Sequence, residues 1–180
     1  MYWITRIWPF AKFGENVYFH GSRDEKKIAL TFDDGPCENT LGVLSVLKKY
    51  SVRGTFFVLG NKIQGNENIL RRIIGSGSEI GSHSYNHLNL SFRPKYFIGG
   101  HLNMADNVLR RAGVKSYLFR PPYGSFGFNL LDVCKQKRKK IILWDVDPSD
   151  WRCNYNIDKI SKYIIRNTRN GSILDLHDYA

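Results

Sequence analysis

Short runs rich in β-branched and aromatic residues alternate along this chain with segments whose apolar residues repeat at helical spacing. Each β-rich run is four to six residues long, and together they predict six strands, at residues 28–32, 54–59, 79–83, 117–120, 141–146 and 173–177. Near-continuous apolar strands separated by helices are typical of parallel βαβ units. The alternation therefore predicts an α/β fold, and the absence of repeats or linkers favours a single domain.

The segments between the strands carry the helical signal, and they predict four helices, at residues 40–50, 61–75, 101–113 and 156–170. The alternation alone does not decide whether the sheet stays open or closes into a barrel. A full eight-fold β/α barrel takes about 250 residues. Six strands in 180 residues therefore favour a distorted or incomplete (β/α) barrel.

The chain is strongly basic, with 27 Lys and Arg against 16 Asp and Glu and a net charge of +11. Such an excess favours an anionic partner, but the basic residues are scattered, with one denser run at 135–140. Solvated helix faces and helix C-termini, where cations complement the helix dipole, account for this distribution. Because no nucleic-acid-binding motif and no single basic stripe is visible, we expect no nucleic-acid partner.

No apolar stretch approaches the ~18 residues that span a bilayer, so we expect no membrane insertion. Arg6 and Pro9 interrupt the opening segment before a signal-peptide core can form, and the localisation stays open. We assign residues 1–27 to an N-terminal lead-in and residues 28–180 to the domain, and we expect a monomer. Three cysteines lack the spacing of a zinc knuckle, and at most one pair of them can form a disulfide: Cys37, Cys134 and Cys153.

Charged and polar residues occupy the carboxyl ends of five of the predicted strands. They are Asp33 and Asp34, His83, Arg120, Asp147 and Asp150, and His177. In parallel α/β folds this edge carries the active site, because the strand ends are rigid while the following loops vary. Because five strands carry such residues at their carboxyl ends, we predict an active site at this edge of the sheet.

His83 and His87 lie four residues apart, which places two imidazoles within reach of one cation on a helical turn or a tight loop. Two surface or core histidines would give the same pattern. Catalytic zinc has three protein ligands and an exchangeable water, and Asp33 or Asp34 can supply the third ligand from a neighbouring strand end. A cation then neutralises one carboxylate and leaves the other to act as a base.

Two further segments have features that suit a site. The prolines of residues 120–124 exclude a helix and stiffen the loop, which suits a segment that places an arginine or a backbone N–H. Trp151 follows the polar turn 147–150 and is a candidate wall of a cleft. Trp144 lies within an apolar run and is better explained as a core residue.

These residues belong to five short motifs: TFDDGP at 31–36, HSYNH at 83–87, RPPYG at 120–124, DPSDW at 147–151 and LHD at 176–178. In this order they resemble the motifs of the polysaccharide deacetylase family, also called the NodB homology domain or carbohydrate esterase family 4. The resemblance implies a distorted β/α barrel. It also implies hydrolysis of N-acetyl or O-acetyl groups of chitin oligomers, peptidoglycan, xylan or a related glycan, with one divalent metal ion, zinc first and cobalt or another transition metal next.

Carried over by position, the resemblance makes Asp34, His83 and His87 the metal ligands. Asp33 becomes the catalytic base, and Arg120 orients it. The chemistry of these residue types agrees, because a metal polarises the acetyl carbonyl and acidifies a water while Asp33 removes the proton.

The same carry-over makes His177 the general acid and Asp150 the residue that tunes it. The backbone N–H of Tyr123 helps to bind the oxyanion. Tyr123, Pro122 and Trp151 are assigned to substrate binding, with Trp151 at the border of the acetyl pocket. His177 then protonates the departing amine.

Two features depart from the family pattern. Members commonly carry leucine two positions before the acid histidine, where it helps to enclose the acetyl methyl group, and this chain has Asp175 there. A carboxylate facing that pocket is costly to desolvate. Relatives also usually continue past the last motif, so we expect closing elements to be missing and the strand that carries His177 to be a weakly supported terminus.

We therefore expect a metal-dependent hydrolase that removes acetyl groups from N-acetylated sugars of a polysaccharide or oligosaccharide. Two alternatives are a catalytically weak glycan-binding relative and a metal-dependent amidase that acts on a small C–N substrate. Oligosaccharide binding without turnover favours the first alternative.

Overall fold

The computed structural model describes residues 16–152 and 156–178. Its strands are β1 (Val17–Tyr18), β2 (Ala29–Asp33), β3 (Thr55–Val58), β4 (Glu79–Ser82), β5 (Leu118–Phe119), β6 (Lys140–Ile142) and β7 (Ile173–His177). They form one sheet in the order β1-β6-β5-β4-β3-β2-β7, and all neighbours are parallel. The sheet curls into an incomplete barrel, which confirms the predicted α/β fold class.

Strand β7 is held on both of its edges. It pairs with β2 along its full length, so that Asp33 lies opposite His177. On the other edge, Leu174 forms a parallel bridge with Val146, and the N–H of Asp175 donates to the carbonyl of Val146 at 2.9 Å. The expectation that the strand carrying His177 is weakly supported is therefore wrong.

Five helices cover the sheet: α1 (Glu38–Lys49), α2 (Glu67–Gly75), α3 (Lys95–Arg111), α4 (Phe128–Gln136) and α5 (Ile157–Asn167). Asn156 caps α5, because its side chain accepts a hydrogen bond from the N–H of Lys159 at 3.0 Å. Basic residues lie in the last turn of each of these helices, as expected from the helix dipole. None of the described helices has the length and apolar character that a bilayer crossing requires.

Strand β1 and helix α4 were not predicted. Strand β1 lies within the lead-in assigned to residues 1–27 and pairs with β6, while the proposed domain start at residue 28 stays a prediction. The predicted strand 141–146 ends at Ile142 in the structure, because the chain leaves β6 there and Val146 reaches β7. Cys37 and Cys134 are free thiols, and Cys153 lies outside the described residues.

Apolar side chains fill the space between the sheet and the helices. The registers align Phe32, Phe56 and Ile80 on the outer face of the sheet, where they join one core cluster. A second cluster packs α3 and α4 against β5 and β6. Because side chains alternate between the faces of a strand, the residues between them point into the barrel, and this inner face is available for polar side chains.

Candidate active site

The inner face and the carboxyl ends of the strands bring together the polar residues that the sequence marked. Asp33 pairs in register with Phe57 of β3 on one side and with His177 of β7 on the other. His83 directly follows β4 and Arg120 directly follows β5. Because all these strands are parallel, their ends meet at one edge of the barrel.

Asp34, His83 and His87 form a compact group of candidate metal ligands. Oδ1 of Asp34 lies 3.6 Å from Nε2 of His83 and 3.6 Å from Nε2 of His87. This oxygen is buried and has no hydrogen-bond partner among the described residues. A shielded and unpartnered carboxylate oxygen is costly without a cation. Two imidazoles and one carboxylate therefore fit a single divalent cation that accepts nitrogen and oxygen ligands.

Hydrogen bonding and burial leave the imidazole nitrogens ready to bind a metal. Nδ1 of His83 donates to the carbonyl oxygen of Arg120 at 2.9 Å, which leaves the lone pair on Nε2, the atom that faces Asp34. Burial lowers the pKa of His83 to about 3 and also lowers the pKa of His87. Both imidazoles are therefore neutral near pH 7, the form that ligates metal ions.

The backbone around the site is strained at several positions that are not glycine, and three of them carry predicted site roles. Asp34, His87 and Tyr123 have φ values of 74°, 61° and 62°. Each such conformation costs about 1–3 kcal/mol, and such residues concentrate at functional sites. Two of the three are candidate metal ligands, which supports their assignment to a working site.

Asp33 lies beside the candidate metal ligands and is buried. Its Oδ1 accepts a hydrogen bond from Nη1 of Arg120 at 2.8 Å, and its Oδ2 lies 3.7 Å from Nε2 of His83. Burial raises the pKa of Asp33 to about 6, against the opposing charges of Arg120 and His177. A carboxylate that titrates near neutral pH is suited to take a proton from water.

Arg120 is fully buried, and each side of its guanidinium has a partner. Its Cζ lies 4.3 Å from the ring centroid of Phe57 and 5.3 Å from that of Trp144. Nε donates to the carbonyl of Ile142 at 3.1 Å, and Nη2 donates to the carbonyl of Leu143 at 3.2 Å. The side chain is therefore held as a rigid support for the carboxylates around it.

The structure brings His177 and Asp150, the predicted general acid and the residue that tunes it, into contact. Nδ1 of His177 lies 2.8 Å from Oδ1 of Asp150, and the N–H of His177 donates to Oδ2 at 2.9 Å. Burial alone lowers the pKa of His177, but the hydrogen bond to Asp150 and the charges of Asp175 and Asp33 outweigh it and raise the pKa to about 9. His177 is therefore protonated near pH 7 and can donate a proton.

Asp175 is buried, and one of its carboxylate oxygens lies within 4.8 Å of ligand atoms of Asp33 and His177. Its Oδ1 accepts a hydrogen bond from Nη1 of Arg120 at 2.9 Å, and the residue is only 3% exposed. The register of β7 is regular, with Thr31 opposite Asp175. Asp175 therefore shares Arg120 with Asp33, and burial raises the pKa of Asp175 well above its ordinary value although the charge of Arg120 lowers it.

The loop at residues 120–124 places Tyr123 next to the candidate ligands. The ring of Tyr123 meets that of His87 edge-on, with centroids 4.5 Å apart, and no hydrogen bond in the described part of the chain uses the Tyr123 N–H. Pro122 is buried beside it. Trp151 is half-exposed and has Arg152 over its ring, and its place at an acetyl pocket stays a prediction.

Sequence reasoning missed Thr40 and Lys62 and gave no role to Asp178. Asp178 is buried, its Oδ2 accepts a hydrogen bond from Oγ1 of Thr40 at 2.6 Å, and burial raises its pKa to about 6. Nζ of Lys62 donates to the carbonyl of Asp34 at 3.0 Å. In the sequence, the only signal for the contact between Asp178 and Thr40 was that Asp178 directly follows His177.

Comparison with known proteins assigns the chain to a family. The family described as polysaccharide deacetylase matches residues 20–141, and the chain belongs to this family. A peptidoglycan-N-acetylglucosamine deacetylase of Bacillus cereus is 34% identical over 172 residues, 94% of this chain and 62% of that protein. The peptidoglycan-N-acetylmuramic acid deacetylase PdaC of Bacillus subtilis is 35% identical over 157 residues, 86% of this chain and 33% of that protein.

Among solved structures, a pseudoenzyme of carbohydrate esterase family 4 from Bacillus anthracis superposes with a TM-score of 0.85 at 26% identity. The match covers 92% of this chain and 59% of that one. The chain thus spans between one third and two thirds of the length of these relatives. The fold alone does not separate active from inactive members, so the function must be argued from the site residues.

Proposed function

We propose that this chain is a metal-dependent hydrolase that removes acetyl groups from N-acetylated sugars of the peptidoglycan or chitin-oligomer type. The observation that carries the proposal is the group of Asp34, His83 and His87 with Asp33 on one side and His177 on the other. The named activities of the peptidoglycan deacetylases that match the chain support the class of substrate. Zinc is the proposed metal, with cobalt as the alternative.

The proposed reaction is hydrolysis of an acetamido C–N bond by water. A divalent cation held by Asp34, His83 and His87 supplies Lewis-acid polarisation of the carbonyl and lowers the pKa of water. Asp33 takes the proton of the attacking water as the new C–O bond forms. The N–H of Tyr123 donates to the developing oxyanion.

His177 completes the reaction on the opposite side of the scissile bond. Its Nδ1–H is committed to Asp150, so the second ring nitrogen, Nε2, carries the proton that passes to the leaving amine as the C–N bond breaks. The products are acetate and a free amino sugar. Asp33 then releases its proton to solvent, and His177 regains one.

Acetate release from N-acetylated peptidoglycan fragments and chitooligosaccharides tests the proposal. We expect turnover with zinc or cobalt, none after chelation, and recovery when metal is restored. His87→Ala serves as the matched inactive control because it removes one ligand from a half-buried position. A metal-loaded, folded wild-type chain that is inert on every acetylated glycan in the panel contradicts the proposal.

A second candidate is a glycan-binding protein with weak catalysis. Two observations favour it: the likeness to a pseudoenzyme and the acidic residue at position 175, where the family pattern has leucine. Saturable binding of the same oligosaccharides without acetate release, at any metal loading, supports this candidate over the first.

A further inference from the structure

Arg120 is shared by two buried carboxylates, although the proposed reaction uses only one of them. Nη1 donates to Oδ1 of Asp33 at 2.8 Å and to Oδ1 of Asp175 at 2.9 Å. Asp33 is 2% exposed, Asp175 is 3% exposed and Arg120 is fully buried. In the proposed mechanism Asp33 acts as the base, whereas Asp175 has no assigned role.

The two hydrogens of Nη1 lie in the plane of the guanidinium and point about 120° apart. One is directed to Asp33 and the other to Asp175, so the two carboxylates together fix how the group is turned within its plane. The rings of Phe57 and Trp144 lie near the guanidinium. Rings on the faces of the guanidinium restrain the tilt of its plane, but they leave the group free to rotate within that plane.

The remaining hydrogen bonds of Arg120 are weaker restraints on that rotation. The carbonyls of Ile142 and Leu143 lie 3.1 and 3.2 Å from Nε and Nη2, longer than the contacts with the carboxylates. The guanidinium donor is charged in all of these hydrogen bonds, and the planar match to a carboxylate oxygen gives the shorter and stronger ones. Without Asp175, one Nη1–H is buried without an acceptor. Rotation of the guanidinium away from Asp33 toward another acceptor then lowers the free energy.

We propose that Asp175 is a positioning residue of this active site: it holds one hydrogen of Arg120 Nη1 so that the other is presented to the base Asp33. The role rests on the proposed function, because Asp33 acts as the base only in that reaction. Asp175 acts through Arg120 and does not touch substrate. It lies on β7 two residues before His177, the position opposite the base, so the strand that carries the acid His177 also orients the base.

The test compares Asp175→Leu, which cannot accept a hydrogen bond, with Asp175→Asn, whose amide oxygen can. Leu174→Val is the matched control, since Leu174 is buried on the same strand and faces away from Arg120. In the zinc-loaded chain acting on an N-acetylated oligosaccharide, we expect Asp175→Leu to lower kcat about 100-fold with KM changed less than about threefold. We expect Asp175→Asn to recover kcat to within about tenfold of wild type and Leu174→Val to match wild type.

A second measurement does not depend on turnover. In protein with ¹⁵N-labelled arginine, we expect separate, slowly exchanging Nη1 and Nη2 signals for Arg120 in the wild type and in Asp175→Asn. We expect merged Nη1 and Nη2 signals in Asp175→Leu, because rotation about the Nε–Cζ bond, which exchanges these two nitrogens, becomes faster. Asp175→Ser, whose hydroxyl is too short to reach Nη1, replaces the leucine variant if that variant does not fold.

Two results overturn the proposal: Arg120 signals that stay separate in the leucine or serine variant, or an asparagine variant that loses as much kcat as the leucine variant. If the wild type releases no acetate while the Arg120 signals respond as expected, the proposed function fails and the positioning role stands. If turnover is present and kcat of the leucine variant equals that of wild type, the proposed function stands and the positioning role fails.

Discussion

Replacing Asp150 by asparagine is expected to reduce the pH dependence of folding stability that His177 provides above pH 6.5. His177 makes two hydrogen bonds to Asp150, one through Nδ1 at 2.8 Å and one through its N–H at 2.9 Å. Burial opposes the charged imidazole, while the hydrogen bond to Asp150 and the charges of Asp175 and Asp33 outweigh it and raise the pKa of His177 from 6.5 to about 9. The asparagine keeps the shape of the side chain and removes its charge.

The separation between an unfolded pKa of 6.5 and a folded pKa of about 9 corresponds to roughly 3 kcal/mol of folding free energy. Since the folded protein holds the proton more tightly, this stabilisation is fully present below pH 6.5 and is lost as the pH rises through 9. About 2 kcal/mol of it disappears between pH 6.5 and about pH 8.5. In Asp150→Asn the pKa of His177 falls, because the hydrogen bond and charge of Asp150 are gone while the charges of Asp175 and Asp33 remain, and this loss of stability becomes smaller.

Urea unfolding of the metal-free protein across this pH range measures the effect. The free energy of unfolding of wild type minus that of Asp150→Asn isolates His177, because groups that titrate alike in both proteins cancel. Asp158→Asn, an exposed carboxylate in the first turn of α5, changes the net charge equally and serves as the control. A wild-type-minus-variant difference that stays constant with pH to within about 0.5 kcal/mol refutes the reasoning.

Three further outcomes are expected. Zinc at about 100 times its Kd should stabilise the wild type by about 2.7 kcal/mol in thermal unfolding, and it should stabilise His87→Ala far less. Equal stabilisation of the two proteins would mean that zinc does not bind at His87. Asp33→Asn should lower kcat by about 10²- to 10⁴-fold while keeping the stabilisation by zinc; loss of both effects contradicts its role as base. Gly35→Ala should lose about 1–3 kcal/mol in urea unfolding, because a Cβ there lies 2.6 Å from Oδ2 of Asp178. Gly42→Ala on α1, where a Cβ meets nothing within 4 Å, should gain about 0.5–1 kcal/mol; equal effects contradict the steric argument.

The strand pattern was predictable because each strand buries a continuous apolar run, and the prediction for 173–177 agrees with β7 residue for residue. Helix α4 was missed because its buried residues, Leu130, Val133 and Cys134, occupy only two turns before a run of basic residues. Strand β1 is two residues long and exists only through its pairing with β6. Such elements depend on tertiary contacts that local sequence does not record.

The site residues at strand ends were predictable because parallel strands deliver them to one edge, and the structure brings Asp34, His83 and His87 together as expected. The environment of Asp175 was not predictable, since it depends on how Arg120 reaches across the barrel interior between Phe57 and Trp144. The contact of Asp178 with Thr40 joins positions 138 residues apart. Hydrogen bonds of this range follow from the curled sheet, which brings distant segments together, rather than from any local pattern.

The net charge of +11 and the acidic active site are compatible because the fold separates them. Helices in βαβ units run antiparallel to the strands, so their last turns lie at the edge opposite the strand carboxyl ends. Basic residues occupy those last turns: Lys48, Lys49, Arg72, Arg110, Arg111, Lys135 and Arg166. Among the described residues of the site, the carboxylates Asp33, Asp34, Asp150, Asp175 and Asp178 outnumber the cations Arg120, His177 and Lys62. Since like charges repel strongly where water is excluded, this local excess favours a divalent cation at Asp34, whatever the sign of the whole chain.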